Sequence, residues 1–322
     1  MAEQHLEDRT RPIIPPLAGI AVALIAISTS SIFTRYAQAL APSLVIAAFR
    51  LSIAALLLWP FTLAKHRPTL RSLSRKQVLL TILSGAFLAI HFATWITSLE
   101  YTTVASAVVL VSMMPLFVAL IAPFTIGESI TPTILVGLIL ALGGSVIVGL
   151  SDTCTWQAGL LCPPLAEFVR GRAFLGDLLA LAGAISGAGY MLIGRKIRPQ
   201  IPLLPYISIA YGSAAVLLVL TMIGAGHSAT GYPAEAYFWF LMLALLPQLI
   251  AHSTYNWALR YLSAAYVSIT SLGEPIGSTI LAFVLLSERP SGLMLAGAVF
   301  ILAGILIASR RIQSHQSQTK KS

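Results

Sequence analysis

The chain has 322 residues, 57% of them hydrophobic and 10% charged, with a mean hydropathy of +0.87. Soluble domains carry about 25% charged residues, so a water-soluble globular protein is excluded and a polytopic membrane protein is expected. The formal net charge of +9 does not imply nucleic-acid binding, because the basic residues fall in the polar breaks between apolar runs, where they report orientation in the bilayer.

Taken in chain order, a polar tail precedes ten apolar runs, each of a length suited to a helix through a hydrocarbon core about 30 Å thick. They cover 17–34, 43–63, 78–98, 103–124, 133–149, 174–193, 204–224, 237–257, 264–286 and 292–308. Ala37-Gln38-Ala39 after the first run imitates a signal-peptidase site, but the run is long for a signal sequence and is expected to remain. If the N-terminus is cytoplasmic, fifteen Lys and Arg gather in the inner loops and tails, from Arg9 to Lys321. The outer loops then keep only four, Arg35, Arg170, Arg172 and Arg289. This positive-inside bias predicts that both termini are cytoplasmic. Cys154 and Cys162 then lie in the longest loop, outside the membrane, where a disulfide and two free thiols are both open readings.

Shifting the sequence by 160 residues without gaps superimposes Tyr101 on Tyr261, Pro115 on Pro275, Glu128 on Glu288, Gly137 on Gly297 and Gly144 on Gly304. Apolar composition alone does not bring Tyr, Pro, Glu and Gly into one frame. The expected architecture is an all-α polytopic membrane protein of ten transmembrane helices, arranged as two inverted five-helix repeats. Its parts are a cytoplasmic N-terminal tail 1–16, a first repeat 17–149, an extracytoplasmic loop 150–173, a second repeat 174–308 and a cytoplasmic C-terminal tail 309–322. Inverted repeats recur in secondary transporters, with a substrate site near the midplane and alternating access by rocking of one half against the other.

Pro115 and Pro275 fall mid-run in equivalent helices and withhold the usual donor from the carbonyls of Val111 and Ser271. They are expected to bend both helices, as a shared hinge or as a packing kink.

Three stretches resemble the drug/metabolite transporter superfamily, EamA family, in its ten-helix, two-repeat form. They are "PSLVIAAFR" ending at Arg50, the first-repeat block "SMMPLFVALIAPFTIGESIT", and the second-repeat block beginning "SLGEPIGSTILAFVLLSERPSG". The resemblance implies an inner-membrane carrier of small metabolites or drugs, often an exporter, without a nucleotide-driven motor. It does not name the substrate. The essential first-helix glutamate of the small multidrug relatives has no counterpart, since 17–34 holds no acidic residue.

Polar residues inside the runs are the site candidates, because side chains of this kind in a bilayer face the bundle interior or a wet cavity. Gln248, His252 and Asn256 follow at intervals of four with Tyr255 beside them, and Tyr266, Thr270, Glu274 and Ser278 repeat the interval. His91 and Trp95 share a face with Ser84 and Ser98. A cavity lined by the third, fourth, eighth and ninth helices is expected. The plainer reading of the small hydroxyls is interhelical hydrogen bonding. His91 and His252 divide between cavity lining and structural imidazoles, and Trp95 between stacking on a substrate and packing. Arg50, seven residues into the second run, could bind an anionic group or hold the bundle together. Glu100, Glu128 and Glu288 sit at helix ends as solvated or gate-like residues. Glu274 is the leading candidate for binding an amine or carrying a coupling proton; the plainer alternative is a neutral carboxyl bonded to a carbonyl freed by the kink.

G-x-x-x-x-G-K-[ST] and H-E-x-x-H are both missing from the sequence. Neither an enzyme, nor a cofactor, nor a metal site is expected. The expected partners are a small-molecule substrate and the lipid bilayer, with proton coupling open and oligomeric state unspecified. A secondary active exporter of small polar or amphipathic metabolites, such as amino acids, is the leading function. A uniporter, a channel-like facilitator and a lipid flippase are the alternatives.

Overall fold

The computed structural model describes residues 15–126, 132–151, 154–156, 160–162, 171–262, 264–271 and 273–319. Glu128, Arg170, most of the loop around them and the extreme tails lie outside these residues, and Tyr266 and Pro275 are described in backbone only. The first run is two helices, α1 (Pro16–Ser28) and α2 (Ser30–Gln38), meeting at Thr29. Next come α3 (Ser43–Ser72), α4 (Arg75–Ser98), the broken pair α5 (Val104–Val111) and α6 (Met114–Ile126), and α7 (Pro132–Ser151). A two-residue hairpin, β1 (Thr155–Trp156) with β2 (Leu160–Leu161), is closed by a Cys154–Cys162 disulfide. The second half holds α8 (Arg172–Ile197), α9 (Leu203–Gly224), α10 (Ala234–Leu243), a π-helical stretch (Ala244–His252), α11 (Ser253–Ala258), the pair α12 (Ala264–Thr270) and α13 (Gly273–Leu286), and α14 (Gly292–Thr319).

Among the described residues, seven helical rods are long and apolar enough to cross a membrane, counting α1–α2, α5–α6 and α10–α11 each as one. The apolar stretches Leu135–Val148, Ile276–Leu286 and Gly292–Gly304 are shorter. Large apolar side chains such as Ile25, Leu56, Phe124 and Ile139 stand out from the rods into the surroundings, Phe124 with 84% of its surface free. A soluble monomer does not expose so much apolar area; here it faces lipid.

The breaks have local causes. Helices α5 and α6 part at Ser112 and Met113, and α12 and α13 part at Ser271, so Pro115 and Pro275 lie in the first turns of new helices rather than bending continuous ones. A first turn tolerates proline because its N–H would have no intrahelical partner there. The carbonyl of Ser271 is not stranded: the N–H of Glu274 donates to it at 2.9 Å. In the α10–α11 rod Pro247 removes an N–H, and the chain widens into a π-helix in which the N–H of Ser253 reaches the carbonyl of Gln248, five residues back. Nothing in the four-residue spacing announced that change of winding.

The halves pack in a reciprocal pattern. Helix α8 lies on α4, just as the π-stretch lies on α1; α8 also meets α5 and α6, just as α1 meets α13. A close seam joins the equivalent helices α7 and α14. A Cβ added to Gly144 would fall 2.7 Å from the carbonyl oxygen of Gly297, one on Gly297 would fall 2.7 Å from that of Gly144, and one on Gly304 would fall 2.5 Å from that of Gly137. The repeat pairs Gly137 with Gly297 and Gly144 with Gly304, so exchanging the two halves turns one contact into the other. Going up α7 means going down α14, so the exchange axis lies across the helices, as an inverted repeat requires.

Candidate functional site

A cavity of about 60 Å³ opens where the broken helices meet. Its floor is the α12–α13 break with Ser271 and Glu274, and opposite lie Ser112 and Met114 of the α5–α6 break. One wall is aromatic: His91, Phe92 and Trp95 of α4 face His252 and Tyr255. Ile27 and Ser30 of the first rod and Gly187, Tyr190 and Met191 of α8 complete it. Gly187 is required for the close approach of α4, since a Cβ there would sit 3.0 Å from His91 Nδ1 and 3.0 Å from Met114 Sδ.

The walls are held rigidly. His91 Nδ1 and the carbonyl of Gly183 are 2.8 Å apart, and the ring stacks near-parallel to Trp95 at 6.4 Å between centroids. His252 lies 5.3 Å from Phe92 and 6.4 Å from His91, edge to face. Asn256 donates from Nδ2 to the carbonyl of His252 at 2.7 Å and to the Tyr190 hydroxyl. Three polar atoms at this wall, Trp95 Nε1, Tyr255 Oη and Asn256 Oδ1, are buried without a partner among the described residues. Such atoms are costly to leave unmade, so the wall is poised to bond a guest.

Of the nine candidates from the sequence, the structure brings His91, Trp95, His252, Tyr255, Asn256 and Glu274 to this cavity. The other three point elsewhere. Gln248 is rotated off the His252–Asn256 face by the π-winding, and its Oε1 accepts from Arg50 Nε at 3.0 Å. Arg50 is fully buried behind the wall: Nη1 donates to Ser30 Oγ at 2.9 Å, and Cζ lies 4.1 Å over the Phe92 ring. Thr270 turns its hydroxyl to the Val267 carbonyl at 2.7 Å, the back-bonding usual for a helical threonine. The first rod, α1–α2, and helix α8 were absent from the expected lining. Their signal was available in the hydroxyl run "STSSIFTR" and in the small-residue face around Gly183 and Gly187, which marks close helix approach in a membrane.

The arrangement sets the Glu274 carboxyl in the cavity lining and the Arg50 guanidinium behind Phe92, whose ring lines the same cavity. Arg50→Lys keeps the charge but cannot span Ser30 and Gln248 while covering Phe92. It is expected to cost about 2 kcal/mol, seen as a lower thermal midpoint in detergent, whereas an unshifted midpoint would mean that the fork contributes nothing.

A largely helical membrane protein of two matching halves, with a cavity at their junction lined by aromatic, apolar and a few polar side chains, belongs to the class of multi-spanning membrane transporters. The chain is a member of the EamA-like transporter family, whose model matches residues 15–150 and again 174–310. An uncharacterized transporter of Archaeoglobus fulgidus is 25% identical over 301 residues, covering 91% of this chain and 96% of its own length. An Escherichia coli K12 protein named "probable amino-acid metabolite efflux pump" is 27% identical over 256 residues, covering 74% and 80%. A Streptantibioticus cattleyicolor protein named "probable terminal-alkyne amino-acid exporter" is 23% identical over 206 residues, covering 64% of each chain. A crystal structure sharing 20% identity superimposes with a TM-score of 0.64 over 92% of this chain and 98% of its own, and so shares the fold.

Proposed function

We propose that the protein is a secondary active exporter of small amino-acid-like metabolites, working by alternating access between its two halves. The observation that carries this reading is Glu274, an ionisable group facing the cavity from the helix break, where insertion of a charged group costs about 3 kcal/mol. In this reading the Glu274 carboxylate receives the substrate ammonium or a coupling proton in turn. Tyr255 Oη and Trp95 Nε1 donate to the substrate carboxylate, and the aromatic wall takes its side chain. The names of the Escherichia coli and Streptantibioticus relatives agree with an amino-acid substrate. The cavity holds roughly four or five water-sized groups by the volume each water needs, so binding a whole metabolite requires the breaks to open.

In the proposed topology the three shorter apolar helices complete ten crossings of the plasma membrane, with both termini cytoplasmic. The Cys154–Cys162 disulfide supports this side assignment, since the loop that holds it is then in an oxidising space.

The test is counterflow in proteoliposomes. Labelled amino acids should enter vesicles preloaded with the unlabelled substrate, saturably, and should be driven by an imposed proton gradient. Metabolite profiling of medium against cytosol from expressing cells selects the compound to label. Flux that neither saturates nor shows counterflow would replace the carrier with a channel.

A further inference from the structure

Beyond the cavity, the first rod carries polar residues that the proposed binding site does not use. Along α2, Ser30, Thr34 and Gln38 lie four residues apart, as do Ser31 and Arg35, so these two rows run up one side of the helix from the cavity wall to its end. Ser31 Oγ and Thr34 Oγ1 are fully buried and without a partner among the described residues, as are Ser106 Oγ of the adjoining α5, Arg35 Nε and Gln38 Oε1. Helices α2, α5 and α13 pack together here. A row of unmade hydrogen-bonding groups is expensive in an apolar interior, and marks a surface that is wet in another conformation.

The row ends at an ion pair between the halves. Arg35 Nη2 lies 3.5 Å from Glu288 Oε1 and donates to the Thr102 carbonyl at 2.7 Å. Glu288 Oε2 accepts from the Val104 N–H, the first residue of α5, at 3.0 Å. The chain reaches that position through Ser287, whose φ of 58° is the left-handed conformation that a non-glycine residue avoids. This turn ends α13 and sets Glu288 across the mouth of the row. At the opposite end the repeat places Arg195 where Arg35 stands. There it donates to the carbonyl of Leu259 at 3.0 Å, and Leu259 itself lines the cavity. The cavity therefore reaches the Arg195 layer but stops short of the Arg35 layer.

We propose that the Ser31–Thr34–Ser106 row is a closed route from the cavity to the Arg35 end of the molecule, and that the Arg35–Glu288 pair is its gate. This rests on the transport reading above and adds the path and the latch. Passage requires α13 and its terminal turn to leave α2 and α5, breaking the ion pair and the Glu288 cap on α5 together; the row of hydroxyls then takes up water and lines the way out.

The two native cysteines are joined in the disulfide, so Thr34→Cys and Ser106→Cys can be probed as single thiols with an impermeant maleimide in sealed vesicles of both orientations. Both should label slowly in the otherwise native chain. Glu288→Gln should raise the rate about fivefold from the Arg35 side alone, as for loss of a partly exposed ion pair. The conservative Glu288→Asp, which keeps the charge and an acceptor for the Val104 N–H, should leave labelling slow, which separates gating from misfolding. Equal rates with and without Glu288→Gln, or a rise from both sides, would overturn the gate. The labelling needs no substrate, so its failure with amino-acid counterflow intact would remove the gate and leave the transport reading standing. Gated labelling without counterflow would do the reverse.

Discussion

Gly144→Leu should abolish accumulation of folded protein, measured as the loss of a monodisperse peak after detergent extraction. The added side chain would meet the Gly297 carbonyl oxygen at 2.7 Å, Ile301 Cγ1 at 2.8 Å and the Ile301 nitrogen at 2.9 Å from its first carbon alone. Two of these are backbone atoms of another helix and cannot rotate away. Even Gly144→Ala should cost about 1–3 kcal/mol through overpacking, lowering the thermal midpoint by several degrees. The neighbouring Gly143 is the internal control: nothing lies within 4 Å of its built Cβ, so Gly143→Ala should be neutral or should stabilise by up to about 1 kcal/mol. Equal behaviour of the two alanine variants would show that the α7–α14 seam is not close-packed.

Glu274→Gln should abolish proton-gradient dependence and lower transport at limiting substrate about a hundredfold, equivalent to about 3 kcal/mol for a lost charge-assisted contact. The substitution keeps the shape of the side chain and removes its charge, so extraction yield and thermal midpoint should be unchanged. Glu274→Asp retains the charge one methylene further back and should keep gradient dependence with weaker apparent affinity. Gradient-driven transport that survives in Glu274→Gln would remove both the ammonium-binding and the coupling role. The plainer alternative, a neutral carboxyl bonded to a stranded carbonyl, is weakened by the hydrogen bond that the Glu274 N–H already gives to the Ser271 carbonyl.

Much of this was legible because it is written in period and composition. Apolar runs set the helices, and a fixed shift of 160 residues revealed the repeat whose glycines meet across α7 and α14. What escaped depends on winding and on distant partners. The interval of four that joined Gln248 to His252 assumes an α-helix, and Pro247 converts that turn to a π-helix, sending Gln248 toward Arg50. Arg50 lies 198 residues from Gln248 in sequence, so no local pattern could announce the pair or its position behind Phe92. Bends were expected at the prolines, yet each helix stops before its proline and a new one starts one or two residues ahead of it. Tyr190 escaped because a single hydroxyl in an apolar run is as often helix glue as cavity wall. The cysteine spacing likewise left open a disulfide that the hairpin geometry closes.

The glycine seam bears on how such a molecule can move. Where α7 and α14 meet, backbone touches backbone with no side chain between, so neither helix can slide or tilt without collision or a void. The five breaks and irregular windings, at Thr29, Ser112, the π-stretch, Ser271 and the kink at His66, are all elsewhere. The seam is therefore expected to act as a keel, with α1–α2, α3, α5–α6, α10–α11 and α12–α13 as its jointed limbs. Opening at either face would come from flexing those joints against a fixed keel, rather than from two rigid halves tilting past each other.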